Sequence, residues 1–219
     1  MKLLSTLLLF STFNLFSADQ FSCGSIVCDE FKVNISNNAH LQNGLSTYMN
    51  YCYGCHSLQY SRYKRVAEDL EIPIDLYVNN LIYDGSKPGE LMKISLSKED
   101  AVNWLGAYPP DLTLEARVRK PEWIYTYLRS YYSDSSRPYG VNNLVYKNVS
   151  MPHVLEDLQS SMTENEYNNV ISDLTNFLVY VSDPSARERR QMGVYVLLFL
   201  LLFTSFAFLL YREYKKELK

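Results

Sequence analysis

Cys52-Tyr53-Gly54-Cys55-His56 is the stretch from which the rest of the chain is read. Two thiols three positions apart share one side of a helical turn, and the imidazole that follows can reach the metal of a macrocycle that both thiols have captured. This is the attachment pattern of a c-type haem, with Cys52 and Cys55 bonded to its vinyl groups and His56 as the proximal iron ligand. The thiols alone also fit half of a zinc site, a thioredoxin-like redox pair or a stapled loop. Zinc asks for a second ligand pair, and the only other cysteines, Cys23 and Cys28, form a looser C-x4-C. A redox CxxC belongs after a strand in a βαβ unit, whereas the residues before Cys52 read as a helix. The histidine directly after Cys55 favours haem.

Around the motif the patterning is helical. From His40 to Tyr51, Leu41, Leu45 and Tyr48 recur at helical spacing, with Gly44 small enough for a close helix crossing. Thr163-Glu164-Asn165-Glu166 is a capping box, and the apolar face behind it includes Tyr167, Ile171, Leu174, Phe177, Leu178 and Val181. Asp183-Pro184 ends or kinks that helix. Pro121 opens another, with Trp123, Ile124, Tyr127, Leu128 and Tyr131 on one side. No stretch alternates like a strand for more than a few residues. A first helix packed on a last one, with irregular segments closing over a cofactor, uses all these signals.

A low-spin electron carrier needs a second axial ligand, and a methionine thioether opposite histidine raises the reduction potential and closes the site to oxygen. The candidates are Met49, Met92, Met151, Met162, His40 and His153. Met49 is too near the motif in sequence to reach the opposite haem face, and Met162 precedes the capping box. Met92 competes if the return path is short. Met151 precedes Pro152, which biases it toward extended backbone in a loop that can hold a ligand rigidly. On the residues alone Met151 leads Met92.

The two ends carry membrane and export signals. Lys2 followed by the apolar Leu3-Leu4 and Leu7-Leu8-Leu9-Phe10, with almost no charge until Asp19, has the layout of a secretory signal peptide, expected to cover residues 1–18, with an uncleaved anchor as the alternative. Near the other end, Gly193 to Tyr211 reads GVYVLLFLLLFTSFAFLLY, uncharged and long enough to span a bilayer. Basic residues flank it on both sides, so the positive-inside rule discriminates weakly and the signal peptide sets the orientation. The expected organisation is a signal peptide at 1–18, a periplasmic haem domain at 19–186, a transmembrane anchor at 187–212 and a cytoplasmic tail at 213–219. Residues 19–186 hold 13 basic and 21 acidic side chains, so the exported domain is acidic. Such a balance serves solubility, or steers a positively charged partner.

The run Tyr51 to Tyr60 (YCYGCHSLQY) resembles the haem site of the cytochrome c1 family, the membrane-anchored haem subunits of ubiquinol-cytochrome c reductases. Three further stretches agree in order and spacing: Gly106-Ala107-Tyr108-Pro109-Pro110-Asp111-Leu112, then Trp123 to Ser130, then Met151-Pro152-His153-Val154-Leu155. The C-terminal anchor fits as well. The resemblance is to the proteobacterial form, and only the region before about Lys32 looks unlike the family.

The resemblance implies a mainly α fold: a cytochrome c-like haem domain with irregular insertions, plus one C-terminal transmembrane helix. It assigns one covalently bound haem c to Cys52 and Cys55, with His56 and Met151 as iron ligands and no catalytic residue. It also matches Arg117 to an arginine that pairs with a haem propionate, through two parallel hydrogen bonds that suit a carboxylate. The implied function is electron transfer within the respiratory quinol-cytochrome c reductase, from the Rieske iron-sulfur protein to a periplasmic c-type cytochrome. The implied partners are cytochrome b, the Rieske subunit, membrane lipid and a soluble or tethered, basic c-type cytochrome; no nucleic acid is expected. The implied place is the bacterial inner membrane, crossed once. A free-standing membrane-tethered monohaem cytochrome feeding a terminal reductase or oxidase is the alternative, and a zinc- or disulfide-stabilised interaction module is the non-haem one.

Overall fold

The computed structural model describes residues 22–217; the expected signal peptide at 1–18 lies outside them. The described chain is mainly helical, with three short antiparallel strand pairs. It opens with the hairpin β1 (Ser22–Cys23) and β2 (Ile26–Val27), closed by a disulfide between Cys23 and Cys28. Helix α1 (Asn38–Thr47) follows, capped where the Asn37 side chain accepts from the Ala39 amide, and it runs directly into a π-helical turn over Tyr48–Cys52. Strand β3 (Leu58–Arg62) leads into α2 (Tyr63–Asp69) and α3 (Ile74–Leu81), and pairs with β4 (Leu91–Met92). Then come α4 (Lys98–Leu105), the single turn α5 (Glu115–Val118) and α6 (Pro121–Arg129). The pair β5 (Tyr131–Ser133) and β6 (Val141–Asn143) precedes α7 (Glu156–Ser161), α8 (Glu164–Ser182) and α9 (Ala186–Glu217).

The core forms where α1 crosses α8. Leu41 and Leu45 from the first helix, with Tyr48 from the π-helical turn that continues it, meet Ile171, Leu174 and Phe177 from the second, all nearly or fully buried. Gly44 is what lets the two backbones approach: a Cβ there would stand 2.2 Å from the Asp173 carbonyl oxygen and 2.7 Å from the Phe177 Cβ. Polar contacts lock the same crossing. The Asp173 carboxylate accepts from His40 Nδ1 at 2.6 Å and from Asn43 Nδ2 at 3.1 Å. A buried carboxylate is tolerated because both of its oxygens are satisfied. At the head of α8, Thr163 and Glu166 form the reciprocal capping box that their spacing predicts.

Helix α6 begins at Pro121, whose missing N–H costs nothing at a first-turn position. It buries Ile124 and Leu128 against α8, leaving Trp123 and Tyr127 half-buried on the adjoining side. Asp183 to Ser185 break the chain between α8 and α9, where Asp183 accepts from the Arg189 guanidinium at 3.0 and 2.6 Å. Among the described residues, α9 is the one helix long and apolar enough to cross a membrane. It continues without interruption through Glu217, so residues 213–217 of the expected tail belong to the same helix.

Candidate functional site

The Cys52–His56 motif hangs from the end of α1. The π-helical turn carries Cys52, whose carbonyl accepts from the amides of Cys55 and His56 at 3.0 and 2.8 Å, so the motif closes into a tight turn. The buried Tyr48 hydroxyl donates to the His56 carbonyl at 2.5 Å and ties the far end of that turn back to the helix. Next, β3 binds the proline-rich segment. The Asp111 carboxylate accepts from the amides of Gln59 and Thr113 at 2.8 and 3.0 Å, and the Leu112 amide donates to the Ser57 carbonyl. These contacts set the Pro110 carbonyl 2.7 Å from His56 Nδ1.

That last contact fixes the chemistry of the imidazole. A carbonyl only accepts, so Nδ1 carries the proton and the Nε2 lone pair is left for a metal. Burial pushes the His56 pKa down, opposed by the Pro110 carbonyl and by the carboxylates of Glu115 and Asp111. A neutral imidazole with one committed nitrogen is the form that ligates iron.

Another part of the surroundings is a loop built by asparagines. Asn142 Oδ1 accepts from the amides of Asn143 and Asn148, both at 2.9 Å, while Asn143 Oδ1 accepts from the Val145 and Tyr146 amides. Asn148 takes a positive φ of 62°, a conformation that asparagine tolerates better than most residues. The Arg137 guanidinium donates to the carbonyls of Asn148 and Val149. The loop delivers Met151 facing α6, where its sulfur accepts from the Tyr127 hydroxyl at 3.6 Å. The Tyr131 hydroxyl lies 2.8 Å from that hydroxyl and 3.4 Å from the Met151 carbonyl, and its one proton goes to the nearer, the Tyr127 oxygen. Burial pushes the Tyr127 pKa up to about 12 and raises that of Tyr131 as well, so both hydroxyls keep their protons at neutral pH.

These segments line a mostly apolar cavity of about 400 Å³, within the range of cofactor sites. Cys52, Cys55, His56 and Met151 all line it. The other ligand candidates do not. Met92 is fully buried in β4, Met49 packs in the core, His40 holds Asp173, and His153 stacks on Tyr131 with ring centroids 4.6 Å apart. The donor set suits a c-type haem: two thiols beside a metal-ready imidazole, a thioether in the lining of the same cavity, and mostly apolar walls.

The competing readings of the motif fare worse. Cys23 and Cys28 are bonded to one another, and among the described residues no three His, Cys, Asp or Glu side chains gather as a metal site. Redox-active thiols have depressed pKa values, whereas burial and then the neighbouring Cys55 push Cys52 up to about 12.

Of the two arginines near this wall, Arg117 is not among the residues that line the cavity; Arg119, two residues on and also exposed, is. Arg119 is held by Glu115 Oε1 at 3.2 Å and by the Trp123 ring, whose centroid is 4.9 Å from the guanidinium carbon. Each partner stands four residues from Arg119, one on either side, which is a sequence signal that selects Arg119 over Arg117. Tyr127 was legible only as part of an apolar face; its hydroxyl's target came from a loop 24 residues away.

Residues 87–218 match the family model described as the Cytochrome C1 family. The chain is 42% identical over 212 residues to a cytochrome c1 of Allochromatium vinosum, covering 84% of this chain and 87% of that one. It is 36% identical to a protein named ammonia monooxygenase gamma subunit in Nitrosomonas europaea, covering 87% and 88% respectively. It is 25% identical to a cytochrome b/c1 of Bradyrhizobium diazoefficiens, over 77% of this chain and 32% of that one.

Proposed function

The chain belongs to the cytochrome c1 family, and on that premise we propose that it is the electron-transferring haem subunit of a membrane-bound quinol-cytochrome c reductase. The observation that carries this reading is the convergence of Cys52, Cys55, His56 and Met151 on one apolar cavity, with His56 Nδ1 already committed to the Pro110 carbonyl. When bound, a haem c supplies a one-electron carrier that takes an electron from a Rieske iron-sulfur protein and yields it to a c-type cytochrome.

The chain's own residues hold and shield that group. Cys52 and Cys55 would form its two thioether bonds. His56, oriented by Pro110, and Met151, oriented by Tyr127, would hold its iron. Arg119, and not Arg117, is the guanidinium placed to meet a propionate. Leu112, Ile124, Leu174 and Leu178 keep water from the cavity wall. Helix α9 anchors the domain in the membrane, and we place the haem domain on the periplasmic side with the C-terminus in the cytoplasm. The boundaries are a cleaved leader at 1–18, the haem domain at 19–186 and the anchor from 187. A cytochrome b partner is supported by the relative whose name joins cytochromes b and c1.

Purification of the protein from native membranes tests the reading. Colour should survive acid-acetone extraction, the reduced spectrum should show one c-type haem, and a cytochrome b and a Rieske protein should co-purify. A haem that washes out refutes covalent attachment. A coloured protein isolated without those two partners would favour the free-standing tethered cytochrome.

A further inference from the structure

The N-terminal hairpin takes no part in the cavity, yet it is fastened to the loop that carries Met151. Its turn residue Gly24 has a φ of +66°, and a Cβ there would lie 2.2 Å from the Val145 carbonyl oxygen. The neighbouring Ser25 hydroxyl donates to the Leu144 carbonyl at 2.9 Å, across 119 positions of sequence. Both acceptors open the stretch 144–150, whose later members Tyr146, Val149 and Ser150 line the cavity with Met151. The chain leaving the hairpin is tied to α6. The Asp29 amide donates to Thr126 Oγ1 at 2.8 Å, and the Asp29 carboxylate pairs with Arg129 at 2.7 Å. Cys23, near the start of the described chain, is fully buried.

We propose that the disulfide-closed hairpin is a clamp holding the distal-ligand loop against α6, with Gly24 and Ser25 as positioning residues for Met151. The proposal rests on the reading of Met151 as the distal ligand. Strands of two residues form no stable hairpin in water, so the Cys23–Cys28 crosslink is what keeps the docking surface of this one formed. The loop itself has little regular structure, and segments of that kind open locally at low cost. Asparagine contacts and Arg137 organise the loop internally; the hairpin fastens its Leu144–Val145 end from outside. Thioether sulfur is a weak ligand, so its occupancy follows the fraction of time the loop stays closed.

The test uses the full-length, haem-loaded protein in its membrane complex. Gly24→Ala drives a Cβ into the Val145 carbonyl while leaving the disulfide intact, and Cys23→Ala with Cys28→Ala removes the crosslink. Met151→Leu is the reference for a missing ligand. Carbon monoxide binding to the reduced protein and the near-infrared thioether–iron band report ligation; haem content and thermal melting report the fold. The expected result is that roughly five- to tenfold more of the Gly24→Ala and double-cysteine proteins bind carbon monoxide, the change from losing about one hydrogen bond and its packing, with a weaker thioether band and unchanged haem content. Wild-type carbon monoxide binding in Gly24→Ala, alongside full binding in Met151→Leu, overturns the clamp and leaves the ligand assignment standing. Wild-type binding in Met151→Leu overturns the ligand assignment and the clamp with it. If the cysteine variant fails to accumulate, Gly24→Ala decides.

Discussion

The Tyr127 hydroxyl donates to the sulfur of Met151 at 3.6 Å, and Tyr131 lies 2.8 Å from that hydroxyl. With Tyr131 donating to it, the single proton of Tyr127 is directed at the sulfur. A hydrogen bond to a thioether withdraws electron density from the lone pairs that an oxidised metal needs most.

Replacing Tyr127 with Phe should therefore lower the midpoint potential. The lost contact is worth roughly 0.5–1 kcal/mol, which for one electron corresponds to about 20–40 mV. Redox titration of the membrane complex checks this. An unchanged or raised potential would mean that the contact does not reach the metal.

Gly44→Ala should destabilise the domain by roughly 1–3 kcal/mol, because its Cβ has no room beside the Asp173 carbonyl and α1 must lift from α8. Urea titration followed by tyrosine and tryptophan fluorescence measures the loss. A midpoint equal to wild type would show that the crossing is looser than the 2.2 Å clearance implies.

The joint between the haem domain and the anchor should be acid-sensitive. Hydrogen bonds from Arg189 hold the Asp183 carboxyl below the usual carboxylate range. With the folded value depressed, the pair contributes stability above the unfolded value of roughly 4, and that contribution is lost as pH falls through the folded value. Asp183→Asn should flatten the pH dependence of stability below roughly pH 4, by lowering stability at neutral pH while leaving the protein close to wild type in acid. Equal acid profiles for the two proteins would remove this pair as a contributor.

Electron transfer to a basic c-type cytochrome should slow steeply with salt. Residues 19–186 carry 21 acidic and 13 basic side chains, and their long-range attraction is screened within roughly 8–10 Å at ordinary ionic strength. The second-order rate in stopped flow should fall across a salt series, while the first-order rate within the docked pair holds nearly constant. A flat second-order rate would assign the acidity to solubility.

How much of this was legible beforehand depends on how local the signal is. The Thr163–Glu166 capping box, Pro121 at a first turn and the apolar run of α9 each declare themselves within a few residues, and a helix starts or runs at each; the helix opened by Pro121 ends at Arg129, so Tyr131, expected on its face, belongs to β5 instead. Gly44 was legible as a permissive position, though its partner Asp173 was not, since nothing nearby points to a carbonyl 129 positions away. The β3–β4 pair was invisible because β4 is two residues long and exists only through its partner. Arg117 and Arg119 differ in which way one helical turn faces, and a motif match two residues wide does not resolve that. The docking of Ser25 on Leu144 lies between segments with no shared pattern, so only the folded chain reveals it.

The burial of Cys52 bears on the order of events in biogenesis. Adding a thiol across a vinyl group requires an accessible sulfur that ionises readily, and in the closed domain this one is 7% exposed with its pKa pushed up to about 12. On the proposed attachment, the bond should form faster before the domain closes around Cys52 than after, since the thiol lines the cavity but ionises less readily there. Maturation and folding then run as a race: a chain that closes first presents a thiol that reacts slowly. Haem offered to protein folded beforehand should attach far more slowly than haem offered during export, and equal yields from the two would show that the closed domain still admits the reaction.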